Sequence, residues 1–320
     1  AKIHSLAAAT VTVARPLSAA PFPVTLTVGV NGGGGSWCRR VARGSTVMHV
    51  IEANGARLPA LGFGTWTLGG DEARAMVEHA LAAGFRHLDT AQMYGNEAEV
   101  GAGLAAGGVA RDEVFLTTKI WPDDHAPEAL LRAAETSCER LGTVPDLLLL
   151  HWPSRTVPIA DTVEALGTAM ARGLTRHVGV SNFTTRLLRE ALQPGVRLVC
   201  NQVEYHPFLA QDAVLKATRA AGMALVAYCP LARGRVGENA VVAEIADRHG
   251  ASPQQIALAW LVNQDGVAAI PRTANPKRLA ANLAAAEIRL APDEMTAIHA
   301  LGREGWRICD FDFSPEWDAA

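Results

Sequence analysis

From His49 onward the chain alternates short apolar runs with longer stretches of helical periodicity. The apolar runs fall at Leu61–Thr65, Arg86–Thr90, Val114–Ile120, Asp146–His151, His177–Ser181, Leu198–Glu204, Ala224–Cys229 and Gly266–Pro271. A strand that is apolar along its whole length has both faces covered, as in a parallel sheet. Between the runs, Glu72–Ala83 places Ala73, Met76, Val77, Ala80 and Leu81 on one helical face, and Ala129–Leu141 reads the same way. Gly84, Gly142, Gly173, Gly222 and Gly250 stand where such helices are expected to end. Eight strand–helix units predict an α/β chain closed into a (β/α)8, or TIM, barrel. An open doubly wound sheet would need fewer strands per domain. Ahead of the barrel, His49–Glu52 and Arg57–Leu61 flank Ala53-Asn54-Gly55, which predicts a β-hairpin with an Asn-Gly turn.

Residues 1–47 break this pattern. They are rich in Ala, Thr, Val, Ser and Gly and show no sustained period. We read them as a leader, tag or targeting segment that is expected to be disordered, with the barrel at 48–320.

Charge sharpens the division. The 320 residues carry 29 Lys+Arg and 32 Asp+Glu, a net of −3. Five of the basic residues and none of the acidic ones lie in residues 1–51, leaving 24 basic against 32 acidic, a net of −8, in the remainder. An acidic body argues against nucleic acid as a partner. No apolar stretch reaches the roughly 18 residues of a membrane span, so no membrane partner is expected. The five cysteines, Cys38, Cys138, Cys200, Cys229 and Cys309, are scattered and form no CxxC pair. Neither a zinc site nor a disulfide framework is indicated, and a reducing, cytoplasmic location is expected.

In a barrel of this kind the functional site lies at the C-terminal ends of the strands. The polar residues that close the apolar runs are Asp89, Lys119, His151, Ser181-Asn182, Gln202 and Tyr228. From Asp89 through Lys119 and His151 to Ser181 the spacings are 30, 32 and 30 residues. One strand–helix repeat is about 30 residues, so successive strands deliver polar groups to one rim. Each residue alone fits a structural role: a satisfied histidine, a solvated lysine, a helix-capping aspartate. Together they are harder to dismiss, because ionisable groups are costly to bury unpaired. A lysine paired with a carboxylate stays charged, and beside a tyrosine it favours the phenolate and lowers the phenol pKa. Such a tyrosine can exchange a proton with a carbonyl or alcohol oxygen, with His151 orienting the carbonyl. This set holds no strong nucleophile, so hydride from a cofactor is the chemistry that fits.

Two loops compete for a cofactor phosphate. Gly101-Ala102-Gly103-Leu104-Ala105-Ala106 matches a weak dinucleotide fingerprint, but Asn96–Val100 before it is not an apolar strand. We read it as a small-residue face packed on the barrel. Pro271-Arg272-Thr273-Ala274-Asn275-Pro276-Lys277-Arg278 follows the eighth strand and opens a helix, which suits an anion. Read alone, that loop fits a solvated basic turn equally well.

Asp89-Thr90-Ala91-Gln92-Met93-Tyr94-Gly95-Asn96-Glu97, Leu149-Leu150-His151-Trp152-Pro153, Gly179-Val180-Ser181-Asn182-Phe183 and Ile270-Pro271-Arg272-Thr273 resemble, in order, the signatures of the aldo-keto reductase family. Gln202-Val203-Glu204-Tyr205-His206-Pro207 and Ser314-Pro315-Glu316-Trp317-Asp318 resemble its bacterial 2,5-diketo-gluconate reductases. The likeness runs from Met48 to Asp318. It implies an oxidoreductase that reduces carbonyls with NADPH, NADH being the lesser alternative, and a monomer is expected. It implies Tyr94 as general acid, Lys119 and Asp89 as its tuning pair, and His151 as the group orienting the carbonyl. It places Tyr228 on the nicotinamide ring, Ser181, Asn182 and Gln202 on the carboxamide, and Gly64, Thr65 and Leu231 along the cofactor. Arg272, Thr273 and Arg278 would face the 2′-phosphate, with Asn282 near the adenine. Arg272 stands where much of the family has lysine, and Arg233 where many members have serine near the pyrophosphate. The segment from Tyr228 to Glu238 is too short for a long belt over the cofactor.

Trp66, Trp121 and Trp152 follow strands one, three and four, which suggests an aromatic-walled substrate pocket. The terminal Gly302–Trp317 segment, with Trp306, Phe311 and Phe313, is expected to close it as a loop over the site. Such a pocket suits small aldehydes, α-dicarbonyls such as methylglyoxal, and sugar-derived ketones such as 2,5-diketo-gluconate. Two other classes fit less well. A non-catalytic nucleotide-binding barrel would lack one of the four catalytic groups, and all four are present. A metal-dependent hydrolase using Asp89 and His151 lacks a ligand set, so no metal is expected.

Overall fold

The computed structural model describes residues 49–303 and 306–318. The expected leader, residues 1–47, lies outside them. Ten strands and ten α-helices make up the described chain.

Strands β1 (Val50–Ala53) and β2 (Ala56–Pro59) form the antiparallel hairpin ahead of the barrel. Asn54 and Gly55 join them with φ of 45° and 93°, the paired positive values of the tight turn that suits a twisted ribbon. The turn also docks the hairpin. Asn54 Nδ2 donates to the carbonyls of Leu198 (2.7 Å) and Ala221 (3.0 Å), at the N-terminal ends of two barrel strands.

The barrel strands are β3 (Phe63–Gly64), β4 (His87–Asp89), β5 (Phe115–Ile120), β6 (Leu147–Leu150), β7 (His177–Ser181), β8 (Leu198–Glu204), β9 (Ala224–Tyr228) and β10 (Val267–Ala269). Each pairs in parallel with its neighbour in chain order. The sheet closes where Ala269 N donates to Ala60 O (2.8 Å), Gly62 N to Ala269 O (2.9 Å) and Gly64 N to Pro271 O (3.1 Å). All eight expected runs are strands. Six are shorter than their apolar runs, the first and last most, by three residues each; at this seam hydrogen bonds run on beyond the regular ladder. Continuous apolar runs become strands here because helices cover the outer face and side chains fill the inner one; Leu147–Leu150 is buried at every position.

The helices are α1 (Gly70–Ala83), α2 (Glu97–Ala106), α3 (Pro127–Leu141), α4 (Ile159–Ala171), α5 (Thr185–Ala191), α6 (Asp212–Ala220), α7 (Ala240–His249), α8 (Pro253–Val262), α9 (Leu279–Ala284) and α10 (Pro292–His299). In α1 the face buried against the barrel is Ala73, Met76, Val77, Ala80 and Leu81, as the periodicity predicts. The weak fingerprint at Gly101–Ala106 falls inside α2. A Cβ on Gly101 would lie 2.3 Å from the Leu141 carbonyl oxygen, so the small residue lets α2 press on the end of α3. This segment is a packing face and not a phosphate loop.

No helix among the described residues is long and apolar enough to cross a membrane.

Candidate active site

Barrel register sets the site. Gly64 pairs with Asp89, Asp89 with Thr117, and Ser181 with Gln202, so these strand ends share one level of the rim. Lys119 reaches the same level from β5 and is fully buried. Its Nζ lies 2.5 Å from Asp89 Oδ1, 2.8 Å from the Thr90 carbonyl and 3.4 Å from the Tyr94 hydroxyl. Asp89 Oδ2 accepts from Gln202 Nε2 at 2.8 Å, which ties β4 to β8 across the barrel mouth.

Tyr94 is not on a strand. It ends a short 3-10 turn, Gln92–Tyr94, in the loop after β4. Asn96 positions that loop from beneath. It accepts from Thr90 Oγ1 (2.7 Å) and donates to the carbonyls of Thr65 (3.0 Å) and Leu68 (2.8 Å). Sequence reasoning assigned Asn96 no role, and its place within the first signature was the available signal.

The Tyr94 pKa is held well above its usual 10.0, first by burial and then by the Asp89 carboxylate. This reverses the expectation that Lys119 would lower it. Burial strips water from the phenol, and the nearby carboxylate disfavours a second negative charge. Tyr94 is therefore a fully protonated phenol at neutral pH. Burial also pulls Lys119 below its usual value, and the Asp89 pair opposes the shift.

His151 packs edge-on against Tyr94 (ring centroids 5.6 Å apart) and Trp121 (5.3 Å). Burial, and then Lys119, push its pKa well below 6.5, so the imidazole is neutral. His125 lies in the loop after β5 and is fully buried, with Nε2 3.1 Å from the Ile120 carbonyl. Burial lowers its pKa to about 4 from 6.5. The folded state disfavours the charged ring, so the unfolded chain takes up the proton first. Its contribution is complete above pH 6.5 and is lost as pH falls through about 4, about 3 kcal/mol in all. Urea denaturation at pH 7 and at pH 4.5 should therefore show a larger drop for the native protein than for His125→Gln. Equal drops would show that this ring carries none of the acid sensitivity.

The cofactor candidates form a second network. Tyr228 donates its hydroxyl to Asn182 Oδ1 (2.7 Å), Asn182 Nδ2 donates to the His151 carbonyl (3.0 Å), and Ser181 Oγ donates to the Gln202 carbonyl (2.8 Å). Asn182 holds a left-handed backbone, φ 64°. One cleft of about 720 Å³ joins both networks. Asp89, Tyr94, Trp121, His151 and Trp152 line it, and so do Gly64, Trp66, Ser181, Asn182, Gln202, Tyr228, Leu231, Arg272 and Arg278. Four expected residues do not line it. Lys119 sits behind Tyr94 and Asp89. Thr65 is buried and donates Oγ1 to the Asp89 carbonyl (3.0 Å). Thr273 accepts at Oγ1 from Asn275 N (3.0 Å) within its own turn. Asn282 is buried in α9. Arg278 ends a 3-10 turn immediately before that helix and is exposed. Arg272 Nε donates to the Trp66 carbonyl (3.1 Å), latching the loop after β10 onto the loop after β3.

The C-terminal segment covers the aromatic side of the cleft. Phe313 packs edge-on against Trp121 (5.5 Å) and Trp152 (5.2 Å), and Phe311 packs against Trp152 (5.9 Å). Asp318 accepts from Thr185 N (2.8 Å) and Arg155 donates to the Ser314 carbonyl (3.2 Å). Glu204, the last residue of β8, accepts from Ile308 N (2.8 Å), Cys309 N (2.7 Å) and His206 Nε2 (2.9 Å). Sequence reasoning missed Glu204, although it ends a strand run as Asp89 does.

Fold and site together define a barrel oxidoreductase acting on carbonyl groups. The family model for the aldo/keto reductase family matches residues 60–303, and the chain belongs to that family. It is 37% identical over 266 residues to methylglyoxal reductase DkgB of Salmonella typhi, covering 82% of this chain and 99% of that one. It is 37% identical over 254 residues to glyoxal reductase of Bacillus subtilis, covering 78% and 91%. A crystal structure of a protein provisionally assigned as 2,5-diketo-D-gluconic acid reductase B superposes with a TM-score of 0.84 at 43% identity, covering 85% of this chain and 98% of that one.

Proposed function

We propose that the chain reduces small aldehydes and ketones with NADPH, α-dicarbonyls such as methylglyoxal and diketo sugar acids such as 2,5-diketo-gluconate among them. The observation that carries this is one cleft lined by Asp89 and Tyr94, with Lys119 bonded behind them, and lined also by Arg278. The residues present fit a nicotinamide nucleotide. Tyr228 and Arg278 line the same cleft, one offering an aromatic ring to a reactive ring and the other a guanidinium to an anionic end, and Arg278 is exposed at the start of α9. Such a nucleotide, when bound, supplies hydride to the carbonyl carbon.

The side chains supply the rest. Trp66, Trp121 and Trp152 shape the space for the carbonyl compound and exclude water. Neutral His151 orients the carbonyl by donating its one N–H to the oxygen. Tyr94 passes its hydroxyl proton to that oxygen as charge develops on it. The phenolate left behind is stabilised by Lys119, 3.4 Å away, and Asp89 keeps the lysine charged. A tyrosine held in the phenol form suits this direction of proton transfer. We place the chain as a monomer in the cytoplasm, with residues 1–47 as a leader, tag or targeting segment.

The names of the glyoxal and methylglyoxal reductases, and of the 2,5-diketo-gluconic acid reductase, support the substrate class. The test is a panel of methylglyoxal, aromatic aldehydes and 2,5-diketo-gluconate with NADPH and NADH in parallel. A folded protein that oxidises neither nucleotide against any of them would overturn the reading.

A charge-assisted hydrogen bond to the 2′-phosphate is worth about 1.5–3 kcal/mol. Arg278→Ala should therefore raise KM for NADPH by roughly 10- to 100-fold and leave KM for NADH nearly unchanged. Equal effects on the two nucleotides would remove Arg278 from the phosphate site.

A further inference from the structure

Two thiols that the proposed reaction does not use meet at the edge of the cleft. Cys229 Sγ and Cys309 Sγ lie 3.9 Å apart, and both residues line the cleft wall. Cys229 directly follows Tyr228 at the end of β9, with a left-handed backbone of φ 49°. Cys309 belongs to the C-terminal segment, and Glu204 holds its backbone N–H at 2.7 Å. The Arg233 guanidinium stands 4.0 Å from Cys309 Sγ. The hydrogen bond with Cys309 pulls the Cys229 thiol below its usual value against burial and the Glu204 carboxylate, and Arg233 adds to the pull. The same hydrogen bond pushes Cys309 upward. Cys229 is half-buried beside a guanidinium, the cationic setting that favours a reactive thiolate, while Cys309 is buried behind it. The other two described cysteines differ. Cys200 is fully buried, and Cys138 donates its thiol to the Leu174 carbonyl at 3.2 Å.

We propose that Cys229 and Cys309 are a redox pair: a hydroperoxide oxidises them to a disulfide that ties the C-terminal segment to the end of β9 and holds the cleft shut. The Cys229 thiolate attacks one peroxide oxygen. An S–O bond forms, the O–O bond breaks, and the departing hydroxide leaves as water with the thiol proton, giving the sulfenic acid. Cys309 then attacks that sulfur, an S–S bond forms, and the displaced hydroxide leaves as water with the Cys309 proton. Two sulfurs lose two electrons in all and one hydrogen peroxide is reduced to two waters. A dithiol reverses the bond by exchange. Closing the gap from 3.9 Å to the S–S bond length of about 2.05 Å needs a short approach of the two side chains.

The bond would couple two parts of the site. The end of β9 carries Tyr228, whose hydroxyl reaches Asn182, and the C-terminal segment carries Phe311 and Phe313 against Trp152. Tied together, they fix the C-terminal segment to the wall that carries Tyr228 and narrow the way into the cleft. This consequence rests on the function proposed above; the bond itself does not.

The test uses the full chain, reduced, freed of reductant, treated with hydrogen peroxide and desalted. It is then blocked with N-ethylmaleimide and digested for mass spectrometry. The expected result is a linked Cys229–Cys309 peptide pair, two hydrogens lighter than its parts. NADPH turnover should fall by roughly 5- to 150-fold and recover with dithiothreitol. Cys229→Ser and Cys309→Ser, each compared with its own untreated sample, should lose both the linked pair and the reversible fall. Oxidised thiols without that pair, or pairing of either thiol with another cysteine, would overturn the disulfide. A linked pair with unchanged turnover would overturn the closure. An untreated chain with no turnover would instead count against the function, and the peptide map would still decide the disulfide.

Discussion

Tyr94→Phe should lower turnover by roughly 10²- to 10⁴-fold, the usual contribution of a positioned proton donor, while nucleotide affinity stays unchanged. The substitution removes one oxygen and keeps the ring that packs against His151. It leaves Lys119 with its two nearer partners, the Asp89 carboxylate and the Thr90 carbonyl, so the buried charge remains satisfied. Affinity should hold because the nucleotide candidates, from Tyr228 and Asn182 to Arg278, make no hydrogen bond to the Tyr94 hydroxyl among the described residues. Steady-state rates with a reactive aldehyde, paired with a fluorescence titration of NADPH, separate the two effects. Unchanged turnover would remove Tyr94 from the chemistry. A parallel loss of affinity would mean that the ring had moved.

Lys119→Met should cost about 3–5 kcal/mol of folding stability. The lysine is fully buried and Asp89 is nearly so, and their ion pair spans 2.5 Å. With the ammonium gone, Asp89 keeps the donor from Gln202 but no buried cation. A stranded buried carboxylate is the costly outcome, whereas replacing both partners by apolar groups is often close to neutral. The double substitution Lys119→Met with Asp89→Leu should therefore recover much of the loss. Urea midpoints for the native protein, the single and the double decide it. A double no more stable than the single would show that the cost comes from lost packing around the lysine stem and not from the unpaired charge.

The two residues were legible in the sequence to different degrees than their partner. Asp89 and Lys119 close apolar runs 30 residues apart, and that spacing alone placed them on one rim. Tyr94 lies five residues past its strand, on a 3-10 turn that has no phase relation to the barrel repeat. A resemblance of motif, and no rule of spacing, reached it. The direction of its pKa was not legible either. A lysine near a tyrosine argues for a lower value, and burial together with the Asp89 carboxylate sets the opposite sign.

Arg272 shows the same limit from another side. As a cation after the last strand it suits a phosphate, and it does line the cleft. Its Nε is already given to a carbonyl 206 positions earlier in the chain, a partner that exists only once the barrel has closed.

Local order was decided by patterns that operate within one repeat. Apolar runs covered on both faces become parallel strands, and helix faces appear at 3.6-residue spacing. The Asn54-Gly55 dipeptide turns the hairpin because its backbone preference needs no distant partner. These determined the barrel, its eight strands and the rim on which Asp89, Lys119 and His151 meet. Closure decided the rest. It brought Glu204 to the backbone of Ile308 and Cys309, and set Cys229 3.9 Å from Cys309 across 80 positions of chain. Such contacts depend on the path of the C-terminal segment over the barrel mouth. No periodicity encodes that path, because its free energy comes from aromatic packing and hydrogen bonds between segments far apart in sequence.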